Sequence, residues 1–215
     1  MPIRILLADD HAILRQGLRR ILESYPDFTV VAEASSGLEA VELARELQPQ
    51  VAIVDVGMRG LNGIEATAQI LRRSPRTAVL ILSMHNDERY VVRALKAGAR
   101  GYLLKDSVEQ DLIQAIQFAL EGRSFFSPAV AELLASRKSS MLVPDKVEDR
   151  YDLLTERERQ IYQLLAEGQS NKEIASLLGL SLHTVETHRT RIMEKMDVHG
   201  AAELVLSAVR RGLVR

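Results

Sequence analysis

The chain contains no cysteine, and this absence excludes several classes of protein at once. Disulfide-stabilised scaffolds, thiol nucleophiles, thiolate zinc sites and iron–sulfur clusters all need cysteine sulfur. A large excess of one charge is also missing, because 28 Lys and Arg residues oppose 29 Asp and Glu residues for a formal net charge of −1. This balance excludes a disordered polyelectrolyte and gives no bulk attraction to nucleic acid. Any nucleic-acid contact must therefore be a local patch.

A long hydrophobic run is missing from the start of the chain. The apolar segment that begins at Ile3 meets Asp9 and Asp10 after a few residues, which is too short for a signal peptide or a membrane span. We therefore expect a cytoplasmic protein that does not contact membranes. The length of 215 residues exceeds one typical domain of about 100 to 200 residues, and 47% hydrophobic residues are enough to build cores. Two domains are the leading expectation.

The first part of the chain has the pattern of an α/β fold. Short apolar runs without polar alternation are typical of strands buried on both faces, and stretches of helical period lie between them. Strand followed by helix, five times over, predicts a five-stranded, doubly wound parallel sheet that closes near Gly122, hence a first domain over residues 1–122. The five apolar runs are Ile3 to Ala8, Phe28 to Ala32, Val51 to Val54, Ala78 to Leu82 and Gly101 to Leu104.

The rest of the chain predicts helices alone. Residues 123–150 look like a linker with one short helix around Val130 to Leu134, because Ser127-Pro128 starts a helix and polar sequence follows. Residues 151–215 carry two capping-box patterns, Thr155-x-x-Glu158 and Ser170-x-x-Glu173. We predict an all-α domain of four helices, near 156–167, 171–178, 182–197 and 200–211.

Five polar residues directly follow the predicted strands. In an open parallel sheet, ligands bind beyond the carboxyl ends of the strands, which makes these positions candidates for a site. Carboxylates suit Mg²⁺, and a hydroxyl with an ammonium suits phosphoryl oxygens. The first strand is not followed by a glycine-rich loop, which disfavours a bound nucleotide. The set fits phosphoryl transfer onto a carboxylate, with Asp55 as the best nucleophile. The five are Asp9, Asp10, Asp55, Ser83 and Lys105.

The second domain contains a helix-turn-helix pattern. Residues 174–185 place apolar residues on one helix, Gly179 in the turn, and a new N-cap, Ser181, before a second helix. In that helix Val185, Ile192 and Met196 form the inward stripe. The opposite face should enter the major groove of double-stranded DNA. The candidate contacts to bases or phosphates are Lys172, His183, Thr184, Glu186, Thr187, Arg189, Thr190 and Arg191, with Lys195 as a further phosphate candidate.

Both halves resemble known families. The motifs Asp9-Asp10, Asp55-x-x-Met58-x-Gly60-x-Asn62-Gly63, Ser83-Met84-His85 and Gly101-Tyr102-Leu103-Leu104-Lys105 resemble a flavodoxin-like response-regulator receiver domain. The resemblance implies that Asp55 accepts a phosphoryl group from a sensor histidine kinase. It also implies that Asp10, Asp55 and the Gly57 carbonyl hold Mg²⁺ with help from Asp9. Ser83 and Lys105 would bind the phosphoryl oxygens, and Tyr102 would be the switch aromatic.

The second half resembles the LuxR-type DNA-binding domain, through Leu154-Thr155-x-Arg157-Glu158, Gly168-x-Ser170-Asn171-Lys172-Glu173-Ile174-Ala175 and Thr184-Val185-x-Thr187-His188-Arg189. A receiver followed by this module resembles the NarL/FixJ class of transcriptional response regulators. Residues 151–215 hold nine basic and nine acidic side chains, so each copy should bind DNA weakly. We therefore expect a homodimer on DNA.

Two departures and several alternatives remain open at this point. Relatives of the receiver usually carry proline where this chain has Arg59, and many LuxR-type relatives carry lysine where it has Glu186. An aspartyl-phosphate phosphohydrolase would need a general acid at position 57, which is glycine. A helical tail that binds protein would not need the groove-facing Thr and Arg residues. A linker over 123–150 permits either release of a blocked recognition helix or direct receiver dimerisation.

Overall fold

The structure is a computed structural model that describes residues 1–140 and 149–214. Residues 141–148 of the predicted linker lie outside the described part. The chain divides into two compact units, an N-terminal one and a C-terminal one. Among the described residues, no helix is both long enough and apolar enough to cross a membrane.

The N-terminal unit is built on one parallel sheet. Its strand order is β2-β1-β3-β4-β5-β6, and every neighbouring pair is parallel. The order changes direction between β1 and β3, which is the point where ligands bind in doubly wound folds. The strands are β1 (Ile3–Ala8), β2 (Phe28–Ala34), β3 (Val51–Asp55), β4 (Ala78–Ser83), β5 (Gly101–Leu104) and β6 (Phe125–Phe126).

Helices cover the sheet and bury it. The first five are α1 (Ala12–Glu23), α2 (Gly37–Leu47), α3 (Gly63–Arg73), α4 (Glu88–Lys96) and α5 (Val108–Leu120). Leu18 and Leu22 of α1 pack with Leu112 and Ile116 of α5 in one core that includes the strands. All five residues of β3 are buried, as the apolar runs predict for a central strand. The predicted α/β architecture is confirmed.

The sheet has six strands where the sequence predicts five. The sixth is only two residues long, and it pairs Phe125 with Gly101 and Phe126 with Tyr102. A Cβ atom at Gly101 would lie 2.8 Å from the Phe125 carbonyl oxygen, so glycine permits this pairing. Two residues are too few to show an alternating pattern, which is why the strand was assigned to the linker.

A small polar cluster fastens the segment after β6 to the sheet. Ser127 is buried, and its hydroxyl donates to Asp111 Oδ2 at 2.6 Å, while the Ser107 hydroxyl donates to the same oxygen at 2.8 Å. The backbone N–H of Leu104 donates to Ser127 Oγ at 3.2 Å. Helix α6 follows as Pro128–Ser140, longer than the helix predicted around Val130 to Leu134.

The C-terminal unit is all-helical, as predicted. After a 3-10 turn over Arg150–Leu153 come α7 (Glu156–Ala166), α8 (Asn171–Leu178), α9 (Leu182–Met196) and α10 (Ala201–Arg210). Both predicted capping boxes form, at Thr155 with Glu158 and at Ser170 with Glu173. Helix α8 ends at Gly179, whose φ of 63° is the left-handed conformation that glycine adopts without strain.

The core of the C-terminal unit joins all four helices to the 3-10 turn. Tyr151 of the turn and Tyr162 of α7 are fully buried and meet edge to face, with ring centroids 5.6 Å apart. Ile174 of α8 and Val185 of α9 are also fully buried, and so is Ala208 of α10. Residues of α8 and α9 thus belong to one core, which holds the two helices against each other.

Candidate functional site

Three carboxylates meet at the carboxyl ends of β1 and β3. Asp9 directly follows β1, and Asp55 is the last residue of β3. Both residues are buried, with 1% and 2% of their surface exposed, whereas Asp10 is partly exposed. Ligand atoms from Asp9, Asp10, His11 and Asp55 all lie within 4.8 Å of one another. The structure thus brings the predicted acidic residues together.

Lys105 bridges two of these carboxylates. It directly follows β5, and its Nζ lies 2.8 Å from Asp9 Oδ2 and 2.9 Å from Asp55 Oδ2. Burial raises the pKa of the Asp55 carboxyl and the charge of Asp9 raises it further, while Lys105 and the Gly57 backbone N–H act in the opposite direction. Asp55 is therefore a carboxylate held away from water, beside a cation that can also meet an incoming anion.

The donor set fits Mg²⁺. Carboxylate oxygens are hard ligands, and Mg²⁺ in proteins is commonly held by one or two carboxylates with retained waters. Asp10 provides the water-facing side of the pocket because it is the most exposed of the three acids. Asp9 and Asp55 provide the buried side.

The loop after β3 is shaped by Asn62 and Gly63. The Asn62 side chain accepts hydrogen bonds from the backbone N–H groups of Ile64 and Glu65, at 3.1 and 3.0 Å, and so caps α3. The Gly63 backbone N–H donates to the Val56 carbonyl at 3.0 Å. A Cβ atom at Gly63 would stand 2.0 Å from the Asp55 carbonyl oxygen. Only glycine allows the start of α3 to lie this close to Asp55.

Arg59 stands in this loop at the position where the resemblance to receiver domains leads us to expect proline. The turn closes by a hydrogen bond from the Leu61 N–H to the Arg59 carbonyl at 2.9 Å. Gly60 in the middle of the turn has a φ of 74°, a conformation that favours glycine. The turn is thus formed without proline, and the Arg59 side chain is exposed.

Ser83 is the last residue of β4, and Tyr102 is the second residue of the neighbouring strand β5. The register pairs Asp55 with Leu82, which sets Ser83 one residue beyond the phosphoacceptor candidate. Ser83 is 1% exposed, and its Oγ accepts the His85 backbone N–H at 3.0 Å. Tyr102 is fully buried, and its hydroxyl donates to the His85 carbonyl at 2.7 Å. Burial raises the pKa of the Tyr102 hydroxyl, so it remains a neutral donor.

Two residues of the pocket were missed by the sequence argument. His11 follows Asp10, and its Nδ1 lies 2.8 Å from Asp10 Oδ1. Arg15, one turn into α1, donates from Nη1 to the Asp9 carbonyl at 2.6 Å and from Nε to Glu33 at 2.9 Å. His11 could have been found from its position beside the acidic pair. Arg15 gave no such signal, because a single arginine on a helix is most often solvated.

The predicted DNA-contacting face is the outer side of α9. Its inward stripe is confirmed, since Val185 and Ile192 are fully buried and Met196 is 5% exposed. The remaining candidates lie on the accessible side. His183, Glu186, Thr190 and Arg191 of α9 and Lys172 of α8 are exposed, and Thr184, Thr187 and Arg189 are partly exposed.

Hydrogen bonds on this face define what it can offer to DNA. The Thr187 and Thr190 hydroxyls donate to the His183 and Glu186 carbonyls, at 2.9 and 3.1 Å. Their donor hydrogens are therefore used within the helix, which leaves methyl groups and oxygen lone pairs for a partner. Arg189 Nη1 donates to Asn171 Oδ1 at 3.4 Å, which links α9 to the start of α8.

Lys195 has a different environment from the other basic candidates. Its Nζ lies 2.6 Å from Glu158 Oε2, in an ion pair that joins α9 to the capping box of α7. Burial disfavours ionisation of Glu158, but the Lys195 ammonium and the Thr155 N–H outweigh it, and the pKa of Glu158 is lowered. Lys195 therefore stabilises the unit through this ion pair, and its contact with a DNA phosphate stays a prediction.

Comparison with known proteins agrees with both halves of this geometry. A family model described as response regulator receiver domain matches residues 5–117, and one described as bacterial regulatory proteins, luxR family, matches residues 152–208. The chain is 37% identical to the transcriptional regulatory protein DegU of Brevibacillus brevis, over 99% of this chain and 95% of that protein. It is 36% identical to the response regulator UvrY of Escherichia coli strain K12, over 98% and 95%. A solved complex of the response regulator RcsB with DNA superposes with a TM-score of 0.59 and 26% identity, over 97% and 98%.

The chain belongs to the two-component response regulators that join a receiver domain to a LuxR-type helix-turn-helix domain. Both resemblances seen in the sequence are thereby confirmed. The six-stranded parallel sheet is the receiver, and the four-helix unit is the DNA-binding module.

Proposed function

We propose that this protein is a transcription regulator controlled by phosphorylation of Asp55 by a sensor histidine kinase. The observation that carries the proposal is the bridge from Lys105 to Asp9 and Asp55, at 2.8 and 2.9 Å. It gathers a nucleophile, a cation and acidic donors at the carboxyl edge of a receiver sheet. The same chain presents the exposed face of a LuxR-type recognition helix.

The chemistry follows from the residues around Asp55. One of its carboxylate oxygens attacks the phosphorus in line, and the bond from phosphorus to the kinase histidine nitrogen breaks as the new bond forms. Lys105 binds an oxygen of the incoming group, and the Ser83 hydroxyl binds another. Asp9, Asp10, Asp55 and the Gly57 carbonyl would hold Mg²⁺, which when bound offsets negative charge on the phosphoryl group.

The response to phosphorylation would pass through Ser83 and Tyr102. A phosphoryl group at Asp55 attracts the Ser83 hydroxyl, which now accepts the His85 N–H. The Tyr102 hydroxyl is bonded to the His85 carbonyl, so both switch residues meet at one short segment after β4. A movement of that segment biases the surface around α4 and β5.

DNA binding is assigned to α9 and the start of α8. Arg191 and Thr190 are exposed on the outer face of α9 and suit base edges, whereas Lys172 and Arg189 suit phosphates. The equal numbers of acidic and basic residues in 151–215 keep the affinity of one copy low, so a homodimer on double-stranded DNA is part of the proposal.

The same reasoning assigns the parts of the chain. The predicted boundaries are kept with one change: residues 1–122 together with β6 (Phe125–Phe126) are the receiver, the rest of 123–150 is the linker, and 151–215 is the DNA-binding domain. The protein is a regulator and not an enzyme in metabolism, with chemistry limited to gaining and losing its own phosphoryl group. It acts in the cytoplasm, where kinase and DNA are both within reach.

Recovery of genomic fragments tests the proposal. Purified protein is incubated with fragmented DNA, with and without Mg²⁺ and a small phosphodonor, beside an Asp55→Asn variant. Enrichment of a shared two-fold motif only when Asp55 can be phosphorylated is expected. Equal enrichment in every condition would remove the phospho-switch, and no enrichment would favour a helical tail that binds protein.

A further inference from the structure

The acidic pocket contains a donor that the proposed magnesium chemistry does not use. His11 Nδ1 lies 2.8 Å from Asp10 Oδ1 and 3.2 Å from Asp9 Oδ1. The His11 backbone N–H also donates to that Asp9 oxygen at 2.8 Å, which fixes the turn that carries the ring. Together with Asp55, these residues place three carboxylates and one imidazole within 4.8 Å of one another.

The two spacings from His11 to Asp9 and Asp10 suit donors around one small cation, and Asp55 lies within 4.8 Å of all three. Neighbouring donors of an octahedral site with bonds of about 2.1 Å are about 3.0 Å apart. Four donors of a tetrahedral site with bonds of about 2.0 Å are about 3.3 Å apart. The two distances from the His11 nitrogen to its carboxylate neighbours, 2.8 and 3.2 Å, lie close to both values.

Imidazole changes which cation the pocket prefers. Mg²⁺ favours oxygen donors and retained waters, so it gains little from nitrogen. Late first-row divalent cations bind imidazole well, and their affinity for mixed nitrogen and oxygen sites is higher. We propose that His11 completes, with Asp9, Asp10 and Asp55, a four-donor site for a divalent cation of the Zn²⁺ class.

The site would oppose phosphorylation. A four-coordinate, tetrahedral cation such as Zn²⁺ that is held by four protein donors keeps no open position for a phosphoryl oxygen. Because Asp9, Asp10 and Asp55 are also the proposed Mg²⁺ donors, Mg²⁺ cannot bind the pocket while this cation is bound. The inference rests on the proposed phosphoacceptor pocket and adds a regulatory ligand to it, namely a cation that competes with Mg²⁺ and keeps the receiver unphosphorylated.

A simpler role for His11 predicts a different result. The ring could only donate a hydrogen bond to Asp9 and Asp10 and so hold them in place. In that case loss of the ring would disorder the carboxylates and weaken the binding of every divalent cation by the same factor. The ratio of Zn²⁺ affinity to Mg²⁺ affinity separates the two roles.

Calorimetric titration of the full chain with zinc chloride or magnesium chloride alone measures this ratio. His11→Asn is compared with the wild type and with His199→Asn, whose side chain is 83% exposed and lies in the C-terminal unit. We expect His11→Asn to lower the affinity of the pocket for Zn²⁺ by at least about tenfold. The affinity for Mg²⁺ should fall by less than about threefold. The control should keep the pocket affinities of the wild type, and Asp55→Asn should lose the pocket Zn²⁺.

Equal losses for the two cations, or an unchanged Zn²⁺ affinity, would overturn the proposal. Thermal unfolding shows whether His11→Asn is folded, and His11→Gln is titrated in its place if it is not. Phosphorylation from acetyl phosphate with Mg²⁺ provides a second readout, in which the Zn²⁺ concentration for half inhibition should rise about tenfold in the variant. If Mg²⁺ alone supports no phosphorylation of the wild type, the proposed function fails, while the affinity ratio still decides the role of His11.

Discussion

Replacement of Gly63 by alanine should damage the pocket, because among the glycines with described Cβ contacts it has the closest one. The added Cβ would stand 2.0 Å from the Asp55 carbonyl oxygen and 2.7 Å from its carbonyl carbon. Both are backbone atoms, so no side-chain rotation can relieve the contact. Either β3 or the start of α3 must move by more than 1 Å (an order-of-magnitude estimate from ordinary contact distances of about 3.5 Å).

The loss of stability can be estimated from the known cost of adding methylene groups to a packed region. Added methylenes in well-packed regions cost about 1 to 3 kcal/mol, and a clash with backbone belongs at or above the upper end. We expect Gly63→Ala to lower the free energy of unfolding of the N-terminal unit by about 3 kcal/mol, or its melting temperature by roughly 10 °C. Asp55 moves with the strand, so phosphorylation by acetyl phosphate should fall at least about tenfold.

Gly17→Ala is the matched control. Gly17 lies within α1, and a Cβ atom there would meet nothing within 4 Å. Alanine is the better helix former by about 1 kcal/mol, so this variant should be slightly more stable and equally reactive. Scanning calorimetry and the phosphorylation rate measure both variants. If Gly63→Ala matched the wild type in both assays, the close approach of α3 to Asp55 would not be a feature of the protein.

Three further predictions concern other parts of the molecule. Glu158→Gln should destabilise the C-terminal unit by about 1 to 2 kcal/mol at pH 7. Because the folded pKa of Glu158 is lowered, that difference is present above the unfolded pKa of about 4.3 and should shrink in urea titrations as the pH falls below it. Ser127→Ala, which removes a charged hydrogen bond to Asp111, should cost about 1.5 to 3 kcal/mol in the same assay. Arg191→Ala should weaken binding to a recovered DNA fragment about tenfold or more, as measured by gel retardation. Arg210→Ala, on the exposed side of α10, should change the binding little. Equal effects of the two substitutions would contradict the assignment of the α9 face.

The sequence predicted the elements that bury a regular pattern. Strand β1 matches its apolar run from Ile3 to Ala8, and the helices of the C-terminal unit begin within about one residue of the predicted positions. These elements were predictable because hydrophobic periodicity and capping residues are local properties of the chain. Strand β6 was not, because its two residues are held by pairing with Gly101 and Tyr102.

In the candidate site too, some residues could be predicted from the sequence and others depend on tertiary packing. Asp9, Asp55 and Lys105 were found because the carboxyl ends of parallel strands share one edge of the sheet. The part played by Gly63 was not found, since it depends on how closely α3 approaches β3. Tyr102 was predicted as the switch aromatic, but its contact could not be read from the sequence: the ring is fully buried and its hydroxyl reaches the His85 carbonyl.

Strand β6 has a practical consequence for any fragment of this protein. A receiver fragment that stops at Gly122 would leave the N–H and C=O groups along one side of β5 without a partner, next to the phenylalanine Phe118 that packs on Phe125. Unpaired sheet edges of this kind recruit strands from other molecules. Such a fragment should self-associate. Extension through Ser127 should restore a monomer, because Phe125 and Phe126 then cover the edge and Ser127 regains its hydrogen bond to Asp111. Self-association of the short fragment would then report a missing strand and say nothing about signalling.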